Sequence, residues 1–143
     1  MAAPAVLLIN AERSQLAHVR AWVAEHAESI HAQPSEIDDL VLAVDEAVTN
    51  VIVHGYHDRP GPIELAVVVE PGSITITIRD QAPKFNPTQV PPPNLNLPLE
   101  QRPIGGMGIH LVRHSVDRFT YEGLAKGGNQ VTLVKFLKTD PAA

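Results

Sequence analysis

Glu46 and Asn50 stand four residues apart in a run whose apolar residues Leu40, Val41, Val44, Val48, Val51 and Ile52 recur at helical spacing. On a helix the two polar side chains share one face, one turn apart. A carboxylate beside a carboxamide on a mostly apolar helix is costly to bury unless their hydrogen bonds are filled. Either the pair faces solvent, or it faces a ligand. A hydrated cation with an anion behind it suits the second case. The amide oxygen can ligate Mg²⁺ directly, and the carboxylate can hold a water or take a proton.

Three further stretches bear on that choice. Asp80 ends a strand-like run in which Ile74, Ile76 and Ile78 alternate with Thr75 and Thr77. It reads either as a turn aspartate or as an acceptor for an exocyclic amine, which adenine carries and guanine lacks at that position. Gly105-Gly106-Met107-Gly108 opens a helical pattern, where bare backbone amides and the helix N-terminus can meet an anion. No Lys-Ser/Thr pair follows and no strand immediately precedes, so neither a Walker A loop nor a dinucleotide fingerprint fits. Gly127-Gly128-Asn129 precedes the last apolar run and by itself signals a hairpin.

The elements that must carry these groups can be traced in order. Ala5–Ile9 reads as a strand. A first helix is expected from about Ser14 to Ala32, with Leu16, Val19, Val23, Ala27 and Ile30 on one stripe and Trp22 off it, either at the core edge or facing a partner. Pro34 is expected to end that helix, and Ser35 with Asp38 to cap the next, which closes at Gly55. Strands are expected at Ile63–Glu70 and Ser73–Arg79 around Pro71-Gly72, then a third helix from Ile109 to about Val116. A closing hairpin pairs Phe119–Glu122 with Val131–Lys138. Between Asn86 and Pro103 lie six prolines (Pro87, Pro91, Pro92, Pro93, Pro98 and Pro103), so regular structure cannot run through most of it. A lid loop at about 86–105 is the expectation, poorly ordered without a ligand. The order predicts a two-layer α/β sandwich with a mixed, mostly antiparallel sheet and helices on one face, as a single domain over 1–143.

In this order and spacing the four stretches resemble the ATP-binding boxes of the GHKL superfamily, which includes gyrase, Hsp90, histidine kinases and MutL, over about Ser35 to Leu137. Glu46-Ala47-Val48-Thr49-Asn50-Val51-Ile52-Val53-His54-Gly55-Tyr56 is similar to the N box in the form used by bacterial anti-sigma factor serine/threonine kinases. Asp80 to Pro87 resembles the first glycine box of that subfamily, Gly106-Met107-Gly108 the second, and Gly128 to Leu133 the strand closing the pocket. The resemblance implies a Bergerat-type ATP-binding fold, with ATP and Mg²⁺ as ligands. Glu46 would be the general base toward a partner's hydroxyl, Asn50 the Mg²⁺ ligand, and Asp80 the acceptor for the adenine amine. Ala82, Arg102, Gly105, Gly106, Met107, Gly108, Ile109 and Asn129 would line the nucleotide, with Arg102 reaching the γ-phosphate from the lid. It also implies a sigma factor and a STAS-domain antagonist as partners, and a homodimer through the first strand and helix, where Val6, Leu8 and Trp22 offer apolar surface. Three residues depart from the pattern: Ala82 and Lys84 stand where glycines are usual, and Asn129 where a threonine is common.

Bulk properties narrow the classes. At 143 residues, with 44% hydrophobic and 19% charged residues, the chain suits one globular core. A formal charge of −5 offers no basic stripe for a duplex, so direct nucleic-acid binding is not expected. There is no cysteine, which excludes disulfides and thiolate metal sites. No apolar run approaches the roughly 20 residues of a membrane span, and Met1–Ile9 has no basic region of a signal peptide. A cytoplasmic protein is expected. The seven histidines include His110 and His114 at i, i+4, without a His-Glu-x-x-His pattern around them. Three functions remain: an anti-sigma factor that phosphorylates its antagonist on Ser or Thr, a non-catalytic ATP-binding partner-switching module, or a detached histidine-kinase ATPase domain.

Overall fold

The computed structural model describes residues 3–89, 96 and 106–138. In chain order its elements are β1 (Ala5–Asn10), α1 (Leu16–Ser29), α2 (Pro34–Asn50), β2 (Pro62–Glu70), β3 (Ser73–Asp80), α3 (Gly106–Ser115), β4 (Arg118–Gly123) and β5 (Asn129–Phe136). Alternation within the strands separates the two faces of the sheet. Ile63, Leu65 and Val67 on β2, Ile74, Ile76 and Ile78 on β3, and Val131 and Leu133 on β5 are all buried. Their neighbours Thr75, Thr77, Gln130 and Thr132 lie half-buried on the other face. Val19, Val23 and Ala27 of α1 and Leu40, Ala43, Val44, Ala47 and Val48 of α2 fill the core from above. Each large aliphatic side chain removed from water there contributes about 1.5–3 kcal/mol.

The sheet order is β1-β2-β3-β5-β4, and all four pairings are antiparallel rather than mixed. Two helices between β1 and β2 return the chain to the end it left, so adjacent strands run in opposite senses. A single helix between β3 and β4 leaves those two parallel in direction, and β5 inserts between them.

Local chemistry moves two boundaries. Helix α1 is preceded by a 3₁₀ turn at Arg13–Gln15 and ends at Ser29, with His31 at φ 59°. Pro34 opens α2 instead of ending α1, because a first-turn residue needs no N–H partner. The cap is Gln33, whose N–H donates to Glu36 Oε1 at 2.8 Å, and not the expected Ser35/Asp38 pair. The other oxygen of the buried Glu36 accepts the Lys138 N–H at 2.7 Å, tying the chain after β5 to the start of α2.

At its far end α2 runs into a π turn, Val51–Gly55, closed by the Tyr56 N–H to the Val51 carbonyl at 2.8 Å. Trp22 is half-buried against the core, its ring edge-on to His26. Of the expected lid, Pro87–Gln89 forms one 3₁₀ turn, and the Arg113 guanidinium donates to the Thr88 carbonyl. Residues 90–105, Asn96 excepted, lie outside the described residues, and with them Arg102 and Gly105. Among the described residues no helix is long and apolar enough to cross a membrane.

Candidate functional site

The register of β3 against β5 places Asp80 directly opposite Asn129. Asn129 donates through Nδ2 to Asp80 Oδ1 at 2.8 Å and to the carbonyls of Ala82 and Pro83 at 3.3 and 3.2 Å. Its Oδ1 accepts the Phe85 N–H at 3.0 Å and the Tyr121 hydroxyl at 2.6 Å. Asn129 thus folds the loop after β3 around its own amide. The Ala82 N–H adds a second donor to Asp80 Oδ1 at 2.9 Å, while among the described residues no donor reaches Oδ2. The carboxyl is 6% exposed, and burial raises its pKa above the ordinary value against the lowering pull of Asn129 and Ala82. Gly128, at φ +95°, is required here: a Cβ on it would lie 2.1 Å from the Asp80 carbonyl oxygen. Tyr56 buttresses the same corner, its hydroxyl accepting the Gln81 N–H and donating to the Pro62 carbonyl, each at 2.7 Å.

Asp80 and Asn129 close one end of a slot lined also by Asn50, Gly55, Phe85 and Ile109, with about 350 Å³ of empty space. It is narrow; the centre of a water-sized sphere finds room in only about 20 Å³ of it. Phe85 forms one wall and stacks at 6.1 Å against His54. Asn50 and Ile109 also line a wider cleft that continues past them, bounded by Arg13, Glu46, Thr49, His54 and Gly108, with about 290 Å³ for such spheres.

In that cleft the Glu46/Asn50 pair lies as the spacing predicts, one turn apart on the edge of α2. Asn50 is 8% exposed, yet among the described residues its carboxamide has no hydrogen-bond partner. Its polar atoms stay open to solvent, so the amide faces two connected cavities with hydrogen-bonding capacity that the protein does not fill. The Glu46 carboxylate is equally unpartnered, and burial first, then the neighbouring Asp45, raises its pKa. It packs so tightly on the first turns of α3 that a Cβ at Gly108 would come within 2.6 Å of Oε2. A carboxylate and a carboxamide one helical turn apart thus face the N-terminus of α3, with a second carboxyl in the adjoining slot.

The remaining expected residues divide. Gly106 and Met107 head α3, Ile109 is buried between the two cavities, and Ala82 packs its methyl toward Gly55 instead of lining the slot. Lys84 is exposed and runs beside Gly123, away from the cleft. Arg13 was not legible in the sequence, because nothing local in Arg13–Gln15 signals a long-range approach to α2. Tyr121 gave only an apolar-strand signal. Among the described residues no group of three or more His, Cys, Asp or Glu forms a metal cluster; His110 and His114 simply meet edge to face.

Comparison with known proteins agrees with this fold. The family model described as "Histidine kinase-like ATPase domain" matches residues 9–135. The anti-sigma F factor of Clostridium acetobutylicum is 28% identical over 116 residues, covering 81% of both chains. That of Geobacillus kaustophilus is 27% identical over 140 residues, covering 95% of this chain and 94% of its own. The serine-protein kinase RsbW of Bacillus mycoides is 26% identical over 113 residues, covering 76% and 71%. A crystal structure of the RsbU and RsbW domains of a Mycobacterium tuberculosis protein superposes with a TM-score of 0.69 at 23% identity. It covers 97% of this chain and 34% of that longer one.

Proposed function

The chain belongs to the histidine kinase-like ATPase family, and from that premise we propose that it is an ATP-dependent serine/threonine protein kinase that acts as an anti-sigma factor. The observation that carries the reading is the Asn50 amide, without a partner among the described residues and open to the cleft, one turn from Glu46, both beside the N-terminus of α3. Adenine enters the slot and donates its amine to Asp80, whose Oδ2 is open to a donor. The phosphates lie in the wider cleft, against the amides that open α3. Asn50 would hold Mg²⁺ through its amide oxygen, and the ion would neutralise phosphate charge. Glu46 takes the proton from an acceptor Ser or Thr hydroxyl as that oxygen bonds to the γ-phosphorus and the β–γ bridge breaks, releasing ADP. A half-buried carboxyl with a raised pKa is a stronger base toward that proton than a solvated one.

The names of the relatives support a sigma factor as the sequestered partner, and the cytoplasm is the setting of the proposal. The acceptor would be a STAS-domain antagonist, and a second copy would pair through β1, where Val6 and Leu8 are exposed at the sheet edge. The test is incubation with Mg-ATP and candidate STAS antagonists. Acid-stable phosphoserine or phosphothreonine on the antagonist is the expected product. Acid-labile phosphohistidine would indicate a detached histidine-kinase domain instead, and no transfer from bound ATP would leave a partner-switching module. The narrowness of the slot favours that module as the second reading. Calorimetry separates the two, since Mg-ATP binding too weak to measure at millimolar nucleotide rules out the kinase.

A further inference from the structure

Arg13 lines the same cleft as Glu46, Asn50 and Gly108, although it belongs to the turn between β1 and α1. Among the described residues bounding that cleft it is the permanent cation, since Lys84 lies along Gly123 elsewhere. Its guanidinium is gripped by Asp58, through Nε to Oδ1 at 3.1 Å and one terminal amine to Oδ2 at 3.2 Å. Asp58 is itself a built feature. It follows His57 in left-handed backbone, at φ 59° and 53°, and its N–H returns to the Ile52 carbonyl at 2.9 Å. The turn that leaves the Glu46/Asn50 helix therefore presents a carboxylate to Arg13 at the rim of the cleft.

Both side chains are more than half exposed, at 62% and 51%. Water and salt screen such a pair, so its net contribution to folding is small and it can be exchanged readily. The grip uses two of the five guanidinium donors and leaves the others for a second anion. Phosphate oxygens would bond a guanidinium fork more strongly than a solvated carboxylate does.

We infer that Arg13 is a phosphate-reading residue: Asp58 parks it at the rim of the cleft, and it moves onto the terminal phosphate of a bound nucleoside triphosphate. The inference rests on the kinase reading above and adds a specificity to it. Asp80 recognises the base in the slot, while Arg13 shares its compartment with the Glu46 base, where the transferred group must lie. Arg13 therefore discriminates triphosphate from diphosphate, and the product is released as its grip is lost.

The experiment is calorimetric titration of the full chain with ATP and with ADP, each with Mg²⁺, at low ionic strength. Arg13→Gln is expected to weaken ATP binding about tenfold, the worth of a charged hydrogen bond, while ADP binding stays within about twofold. Asp58→Asn, which removes the competing carboxylate, is expected to raise the ratio of ATP to ADP affinity. Equal losses for both nucleotides in Arg13→Gln, or an unchanged ratio, would overturn the assignment. Should Arg13→Gln fail to fold by circular dichroism, Asp58→Asn decides, and a ratio that does not rise refutes it. A wild-type protein that binds neither nucleotide sinks the kinase reading and this inference together. Normal ATP binding with an unmoved ratio sinks this one alone.

Discussion

Asn129 and Asn50 are both largely buried residues lining one slot, and their amides are treated in opposite ways. Asn129 is saturated: five hydrogen bonds lock Asp80, Tyr121 and the loop through Phe85 into one arrangement. Asn50 has none among the described residues, and Glu46 above it is also unpartnered. The Asn50 amide atoms remain open to solvent, so water can fill their hydrogen bonds until another group displaces it. One end of the site is therefore rigid enough to recognise a shape. The other keeps its donors and acceptors open to solvent.

Four substitutions and one condition would break or sharpen that contrast. Glu46→Gln is expected to reduce phosphoryl transfer by about 10²–10⁴-fold, the usual worth of a positioned general base, with Mg-ATP affinity nearly unchanged. Single-turnover transfer beside calorimetry checks it, and transfer at wild-type rate would remove Glu46 from the mechanism. The two amides come next. Asn129→Ala is expected to cost about 2–4 kcal/mol in urea denaturation, because it strands several buried groups at once. Asn50→Ala should cost about 1 kcal/mol or less while lowering Mg-ATP affinity at least about tenfold. If both variants lost stability alike, the two amides would not differ as described.

A smaller effect is expected at Gly108. Ala there would push against Glu46 Oε2, which sits at the end of a flexible side chain and can swing aside. Transfer should fall about tenfold through misplacement of the base, with little change in melting temperature.

The smallest effect is in pH. Burial and Asp45 raise the pKa of Glu46 in the folded protein. Between the unfolded value and that raised value the native state binds more protons than the unfolded chain, so stability falls as pH rises through the window. Glu46→Gln removes that slope, so above the window the variant should be at least as stable as wild type. Transfer runs the other way and should rise with pH as the carboxylate forms. Denaturation midpoints from the acidic range to neutrality test the first part, and a pH–rate profile the second.

Much of this site was legible before folding, because its parts are local. The i, i+4 spacing of Glu46 and Asn50 is a helical fact, and Asp80 at the tip of an alternating strand is a period-two fact. Where reading failed, two local rules competed. Pro34 obeys both helix-ending and helix-opening rules, and only the Gln33–Glu36 bond shows which one won. At Gly55 the expected helix stop holds, since the π turn that prolongs α2 ends there.

Periodicity along the chain, then, was sufficient for the elements, the inward faces and the group types at the cleft, since these depend on neighbours within a few residues. The pairing of β5 between β3 and β4 decided the rest. It set Asn129 opposite Asp80 and turned a hairpin asparagine into the hub of a loop. The fold likewise set Arg13, held by Asp58, at the cleft beside Glu46 and Asn50, which lie far from it in sequence. Such meetings depend on how whole elements bury their apolar faces against each other, and no short window of residues encodes that.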